Sequence, residues 1–81
     1  MDQQKKVVLF STPTCSWCTR TKRYFIQHQI RFTEVDVTRD KRAAQDIVRR
    51  TGQQGVPVIL IGSQAIVGFN KSRIDRLLGI S

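Results

Sequence analysis

The chain holds little histidine and little cysteine: one His, at position 28, and two Cys, at positions 15 and 18. A structural zinc site takes four ligands, so one copy of this chain cannot build one from Cys and His alone. Long apolar runs are also missing. None approaches the roughly 20 residues that a membrane-spanning helix needs. Acidic residues are scarce, 6 against 14 Lys+Arg, which leaves a formal net charge of +8. The basic residues are scattered from Lys5 to Arg76, with no basic tail and no run interleaved with aromatics. The signature of nucleic-acid binding is therefore weak, and nucleic acid is not expected as a partner. The excess fits solvated helix faces; steering toward an acidic protein or an anionic substrate is the second reading. Repeats, low-complexity tracts and linkers are absent, and 81 residues make a single domain spanning 1–81. The stretch Met1-Asp2-Gln3-Gln4-Lys5-Lys6 leads into only Val7-Val8-Leu9-Phe10, which is not a signal-peptide pattern. A cytoplasmic location without a membrane is expected. In a reducing compartment, paired thiols are usually catalytic or metal-binding.

The thiols that are present are paired closely, as Cys15-Ser16-Trp17-Cys18. They follow the apolar run Val7-Val8-Leu9-Phe10 after a short link, Ser11-Thr12-Pro13-Thr14, and no Pro or Gly then occurs until Gly52. This order places the pair where a buried strand hands over to a helix N-terminus. The orphan N–H groups and partial positive charge of a first helical turn stabilise a thiolate. A free thiol of pKa about 8.5 is only about 3% thiolate at pH 7. Thiols at such positions fall to roughly 3.5–7.5. Arg20, Lys22 and Arg23 on the same helix add positive field, weakened by screening. As a staple the pair is poor, because a disulfide closing so short a loop restricts the unfolded chain by only about 2 kcal/mol. Redox chemistry is the favoured reading, and a metal or cluster shared across a dimer is the alternative. His28 falls near the expected end of the helix and reads as a solvated or C-capping residue.

Along the chain, residues 5–10 read as a strand buried on both faces. Residues 16–29 read as a helix with Cys18, Tyr24 and Phe25 inward and Arg20, Lys22, Arg23 and Gln27 in water. Residues 31–37 alternate partly and read as a second strand, with Phe32, Val35 and Val37. Asp40 caps a helix over 41–51, with Ala44, Ile47 and Val48 inward and Gly52 as its stop. Residues 57–61 and 64–67 read as strands joined at Gly62-Ser63 in a hairpin. A last helix covers 71–78 with Ile74, Leu77 and Leu78 inward. The order β-α-β-α-β-β-α opens with a right-handed parallel crossover. Its closing hairpin makes the four-stranded sheet mixed, with three helices covering it. A proline opening an apolar strand marks its start. The sharper reading of Pro57 is a cis peptide after Val56, which would leave the Val56 backbone exposed beside the thiols to pair with an extended peptide.

Three blocks then resemble the glutaredoxin family of the thioredoxin-like α/β fold: Phe10-Ser11-Thr12-Pro13-Thr14-Cys15-Ser16-Trp17-Cys18, Thr51-Gly52-Gln53-Gln54-Gly55-Val56-Pro57-Val58, and Val67-Gly68-Phe69-Asn70. The resemblance covers essentially the whole chain. It implies dithiol–disulfide exchange with catalytic Cys15 and Cys18, a cis-proline at Pro57, and substrate contacts at Thr12, Trp17, Val56, Pro57, Gly68 and Phe69. It also implies no bound cofactor, with electrons from thioredoxin reductase or glutathione, and a monomer that reduces disulfide-containing proteins. Glutaredoxins that use glutathione usually carry a basic residue at the position of Thr12, Thr where Gly55 stands, and acidic residues where Asn70 and Lys71 stand. The usual Cys-Pro-aromatic-Cys is here Cys15-Ser16-Trp17-Cys18. Val67-Gly68-Phe69 is more similar to the NrdH-type redoxins, which take electrons from thioredoxin reductase and serve ribonucleotide reductase. Two alternatives stay open. One is a glutathione-dependent glutaredoxin. The other is a dimeric [2Fe–2S] carrier using Cys15 and glutathione, since some cluster-binding members of the family have Ser at the position of Ser16.

Overall fold

The computed structural model describes residues 4–80. Met1–Gln3 and Ser81, which the single-domain expectation over 1–81 includes, lie outside the described residues. The elements follow the expected order: β1 (Val7–Ser11), α1 (Ser16–Gln27), β2 (Thr33–Asp36), α2 (Lys41–Thr51), β3 (Val58–Ile61), β4 (Gln64–Val67) and α3 (Lys71–Leu78). The sheet runs β2-β1-β3-β4. β1 pairs parallel with β2, aligning Leu9 with Glu34 and Ser11 with Asp36. β1 and β3 are antiparallel, with Leu9 opposite Ile59. β3 and β4 are antiparallel as well, closed at Gly62-Ser63. This is the thioredoxin-like α/β fold, a four-stranded mixed sheet with three helices.

Successive strand residues point to opposite faces, so a strand covered on both sides must be apolar throughout. The central strands show this directly. Val7, Leu9, Ile59 and Ile61 pack on one face with Tyr24 and Phe25 of α1 and Ile74 of α3. Phe10 and Val58 pack on the other face with Ala43 and Ile47 of α2, joined by Val8 and Leu60. β1 therefore sits in the middle of the molecule, and whatever follows its C-terminal end is held firmly.

Several boundaries and one helix face depart from the sequence reading. Lys5 and Lys6 are exposed and precede β1, while Ser11 extends it because its carbonyl accepts the Val37 N–H at 3.0 Å. α1 ends at Gln27, two residues early. The His28 N–H donates to the Tyr24 carbonyl at 3.1 Å, Gln29 takes a positive φ of 58°, and the Ile30 N–H returns to Phe25 at 2.8 Å. His28 is thus the C-capping residue, with its ring against Tyr24. β2 is confined to the residues that pair with β1, so Phe32 reaches the core from just outside it. Pro57 precedes β3 rather than opening it. On α2 the inward row is Ala43 and Ile47, not Ala44, Ile47 and Val48 as the sequence suggests; Val48 is 37% exposed. Among the described residues α2 is the helix that covers this face of the sheet, and only one row of its apolar stripe seats fully. Ala44 and Val48 are left lining an open groove with Val37 and Gln54. Among the described residues no helix is long and apolar enough to cross a membrane.

The two rows of α2 should differ in stability effect. Ile47→Ala removes a fully seated side chain and should cost about 2–5 kcal/mol. Val48→Ala should cost under about 1 kcal/mol, since Val48 is partly in water and alanine is the better helix former. Urea unfolding of both variants checks the assignment; equal losses would place Val48 in the core.

Candidate active site

β1 delivers the chain to the end of the sheet, and Thr12–Thr14 turn it into α1. The Cys15 N–H donates back to the Thr12 carbonyl at 3.4 Å. Cys15 has extended backbone angles, φ −93° and ψ 110°, and is the N-cap of α1. Its sulfur accepts the Cys18 backbone N–H at 3.1 Å. A helix start leaves several N–H groups without partners, and an oxygen-bearing side chain commonly takes one of them. Here a thiol does so, which fixes the Cys15 sulfur at the open end of the helix. Both thiols are free; Cys15 is half-buried and Cys18 is buried.

Three residues is close to one helical turn, so Cys18 points inward under Cys15. Burial pushes the Cys18 thiol up to about 12. The hydrogen bond with Cys15 and the negative charges of Cys15 and Glu34 push the same way, and a backbone contact at Thr12 opposes them. The pair is therefore unequal by position: one sulfur faces outward on a helix cap, and the other is held as a buried thiol.

Trp17, Val56, Pro57, Gly68 and Phe69 come together in one groove of about 250 Å³. Five of the six residues that the sequence reading marks for substrate contact thus share one surface. Thr12 is separate, in a second cleft of about 310 Å³ with Ser11, Cys18, Lys22 and Glu34. The Val56–Pro57 peptide is cis, as expected. The Val56 N–H and C=O have no hydrogen-bond partner among the described residues. The Gly68 N–H donates to the Pro57 carbonyl at 2.8 Å, which ties the two loops of the groove together. Gly68 has φ +80°, and a Cβ there would meet nothing within 4 Å. Backbone conformation, not space, requires glycine at this position. Trp17 is 52% exposed, with its ring 6.4 Å from Phe69 and the Arg20 guanidinium 4.9 Å from its centroid.

Sequence reasoning missed two arrangements around this groove. Tyr24 links α1 to α3 and to the Phe69 loop: its hydroxyl donates to Asp75 and its ring meets Phe69 edge-on at 5.4 Å. Lys71 pairs with the same Asp75 at 2.8 Å and is held protonated by it. Lys71 is therefore not a free cation. Asn70 caps α3 by accepting the Arg73 N–H at 3.2 Å. The second missed arrangement is the Ser11–Glu34–Lys22 set behind Cys18. Only one signal pointed to it, a small polar residue closing an apolar run.

The sequence profile described as Glutaredoxin matches residues 7–66. An uncharacterized glutaredoxin-like 8.6 kDa protein in the rubredoxin operon of Clostridium pasteurianum is 43% identical over 72 residues, covering 89% of this chain and 96% of that protein. Glutaredoxin-1 of Mus musculus is 35% identical, covering 82% of this chain and 67% of that protein. Among solved structures, the glutaredoxin-like NrdH-redoxin of Escherichia coli, described by its thioredoxin-like activity profile, superposes with a TM-score of 0.79 at 28% identity. It covers 89% of this chain and 93% of that one.

The inequality of the two thiols should appear in alkylation. Thiolate is the reacting form, and a thiol near 12 is almost entirely protonated at neutral pH. With iodoacetamide at pH 7 the reduced chain should take up one label, on Cys15. Cys18 should label appreciably only above about pH 10. Peptide mapping by mass spectrometry checks this; equal labelling of both cysteines at pH 7 would contradict it.

Proposed function

Because the chain belongs to the glutaredoxin family and is a thiol–disulfide oxidoreductase carrying the Cys15–Cys18 pair, we propose that it reduces protein disulfides with electrons from a flavoprotein thioredoxin reductase. The observation that carries the reading is the placement of the two sulfurs, one outward on the α1 cap and one buried beneath it. Cys15 thiolate attacks one sulfur of a substrate disulfide. A Cys15–substrate disulfide forms, and the other substrate sulfur leaves as a thiolate. Cys18 then attacks the Cys15 sulfur, the substrate's second sulfur leaves, and the Cys15–Cys18 disulfide is left for the reductase to reduce.

The groove supports a protein substrate. Its walls are the Trp17 and Phe69 rings, and along it lie the unpartnered N–H and C=O of Val56. An extended peptide flanking the substrate cysteine can pair with that backbone as an added strand does. The positive net charge favours an acidic partner surface. A ribonucleotide reductase is one candidate substrate, by the likeness to NrdH-redoxin. The chain acts as a monomer in the cytoplasm on this reading.

The donor assignment rests on what the glutathione-gripping positions hold. Thr12 offers no cation to a glutathione carboxylate. Asn70 is committed to its helix cap and offers no acid to the ammonium. Each missing charged hydrogen bond is worth roughly 1.5–3 kcal/mol. Two together weaken glutathione binding about a hundredfold or more. The cluster-carrier alternative would use the outward Cys15 from each of two chains with glutathione, and meets the same deficit.

Two measurements test the proposal. Cys15→Ser should lose protein-disulfide reduction altogether, while Cys18→Ser should accumulate a mixed disulfide with substrate, seen as a mass adduct. NADPH with thioredoxin reductase should drive turnover far better than glutathione with its own reductase. Efficient glutathione-driven turnover with no coupling to thioredoxin reductase would overturn the donor assignment, and visible absorbance of a dimer purified anaerobically would favour the cluster carrier.

A further inference from the structure

The second cleft places a carboxylate beside the buried thiol. Cys18, Glu34, Lys22 and Ser11 all line it, and its volume of about 310 Å³ admits several waters. Ser11 is 2% exposed, and its hydroxyl donates to Glu34 Oε2 at 2.8 Å. Lys22 Nζ lies 3.2 Å from Glu34 Oε1. The carboxylate is therefore fixed from both sides: β1 supplies the hydroxyl and α1 the ammonium. Its side chain stays 37% exposed, so the cleft joins Glu34 to solvent. We propose that Glu34 is the proton acceptor for Cys18 when the mixed disulfide on Cys15 is resolved.

The need for an acceptor follows from the site. Burial, the largest cause that pushes the Cys18 thiol up, and the Glu34 charge both persist when Cys15 carries the substrate, so Cys18 enters the step as a protonated thiol. The attacking sulfur has to lose its proton as the Cys15–substrate bond breaks. In that step the Cys18 S–H proton passes through cleft water to the Glu34 carboxylate. The freed sulfur forms the bond to Cys15 Sγ, and the substrate sulfur leaves with the electron pair of the broken bond. Glu34 then returns its proton to solvent. The inference rests on the proposed roles of Cys15 and Cys18.

The neighbouring charges favour Glu34 over the other acid of the cleft. Asp36 also lines it, but the Thr38 N–H and hydroxyl reach its Oδ1 at 2.9 and 2.6 Å. Arg39 stands 3.8 Å from its other oxygen. Those contacts, the Thr38 bonds first, hold Asp36 below the usual carboxylate range and make it the poorer base. Lys22 is the cation facing Glu34, and Cys15 is the other ionisable group facing Cys18.

Glu34 also acts on Cys18 as a plain negative charge, which keeps the thiol protonated. The two roles give opposite signs in one variant. Glu34→Gln keeps the side-chain volume and an oxygen for Ser11 but removes both the charge and the base. If the carboxylate only suppresses ionisation, the variant resolves faster. If it accepts the proton, the variant resolves more slowly.

The experiment mixes reduced protein with dithiobis(nitrobenzoate) and follows release of the coloured thiolate in a stopped-flow instrument. The first equivalent reports attack by Cys15, and the second reports resolution by Cys18. In Glu34→Gln the first phase should keep its rate, which also shows that the variant is folded. The second phase should be about tenfold to hundredfold slower at pH 7. It should then climb about tenfold per pH unit as hydroxide replaces the missing base, while the unaltered chain changes far less. A second phase equal to or faster than that of the unaltered chain at pH 7 would overturn the proposal. A slower phase with an unchanged pH profile would overturn it as well, since no proton acceptor would then have been lost. Absence of the first phase in the unaltered chain would count instead against Cys15 as the nucleophile.

Discussion

The hydrogen bond from the Cys18 N–H to the Cys15 sulfur is a helix cap made with a thiol, at 3.1 Å. It sets where both sulfurs can be. The capping residue must leave the helix in an extended conformation, so its side chain stands at the end of the helix, where solvent and substrate reach it. The residue three positions on lies inside the first turn and, on this face of α1, inside the protein. One backbone interaction thus makes one thiol outward and the other buried. Two chemically identical side chains acquire different work from a single turn of helix.

The cap holds only because the rest of the chain fixes the helix that carries it. α1 is docked through Tyr24 and Phe25 onto the face of the sheet formed by Val7, Leu9, Ile59 and Ile61. Strand β1, which leads into the cap, is buried on both faces and paired on both edges. The partner-facing parts come from elsewhere in sequence. Pro57 ends the loop that follows α2, and Gly68 opens the loop before α3. Their backbone hydrogen bond of 2.8 Å brings those loops into one wall. Tyr24 then ties α1 to that wall through Phe69 and to α3 through Asp75. The groove is assembled by the same contacts that build the core beneath it.

Most of this was legible in residue order. The double-sided burial of β1, the Asp40 and Gly52 caps and the hairpin at Gly62 follow from local chemistry, the cis bond at Pro57 is what the resemblance to glutaredoxins implies, and the structure shows each of them. The sheet order and the gathering of Trp17, Val56, Pro57, Gly68 and Phe69 agree with the resemblance to glutaredoxins. What failed was non-local or a matter of degree. Ala44 and Val48 belong to the same apolar stripe as Ala43 and Ile47, and the stripe by itself does not say which row the sheet covers. The pairing of Lys71 with Asp75 could not be read either, because Asp75, one turn later, could as well have faced water; Tyr24 holds it. Glu34 could not be associated with Cys18 at all. Its place depends on the parallel register of β2 against β1, which nothing in either strand's own sequence specifies.

The central claim is that the α1 cap presents Cys15 to a peptide laid along the Val56 backbone. The most direct test is the structure of Cys18→Ser trapped as a mixed disulfide with a cysteine peptide from a substrate protein. The account predicts the peptide sulfur bonded to Cys15, with the peptide backbone extended and hydrogen-bonded to the Val56 N–H and C=O between Trp17 and Phe69. A peptide bonded to Cys15 but lying along the Ser11–Glu34 cleft, with Val56 left unpaired, would contradict it.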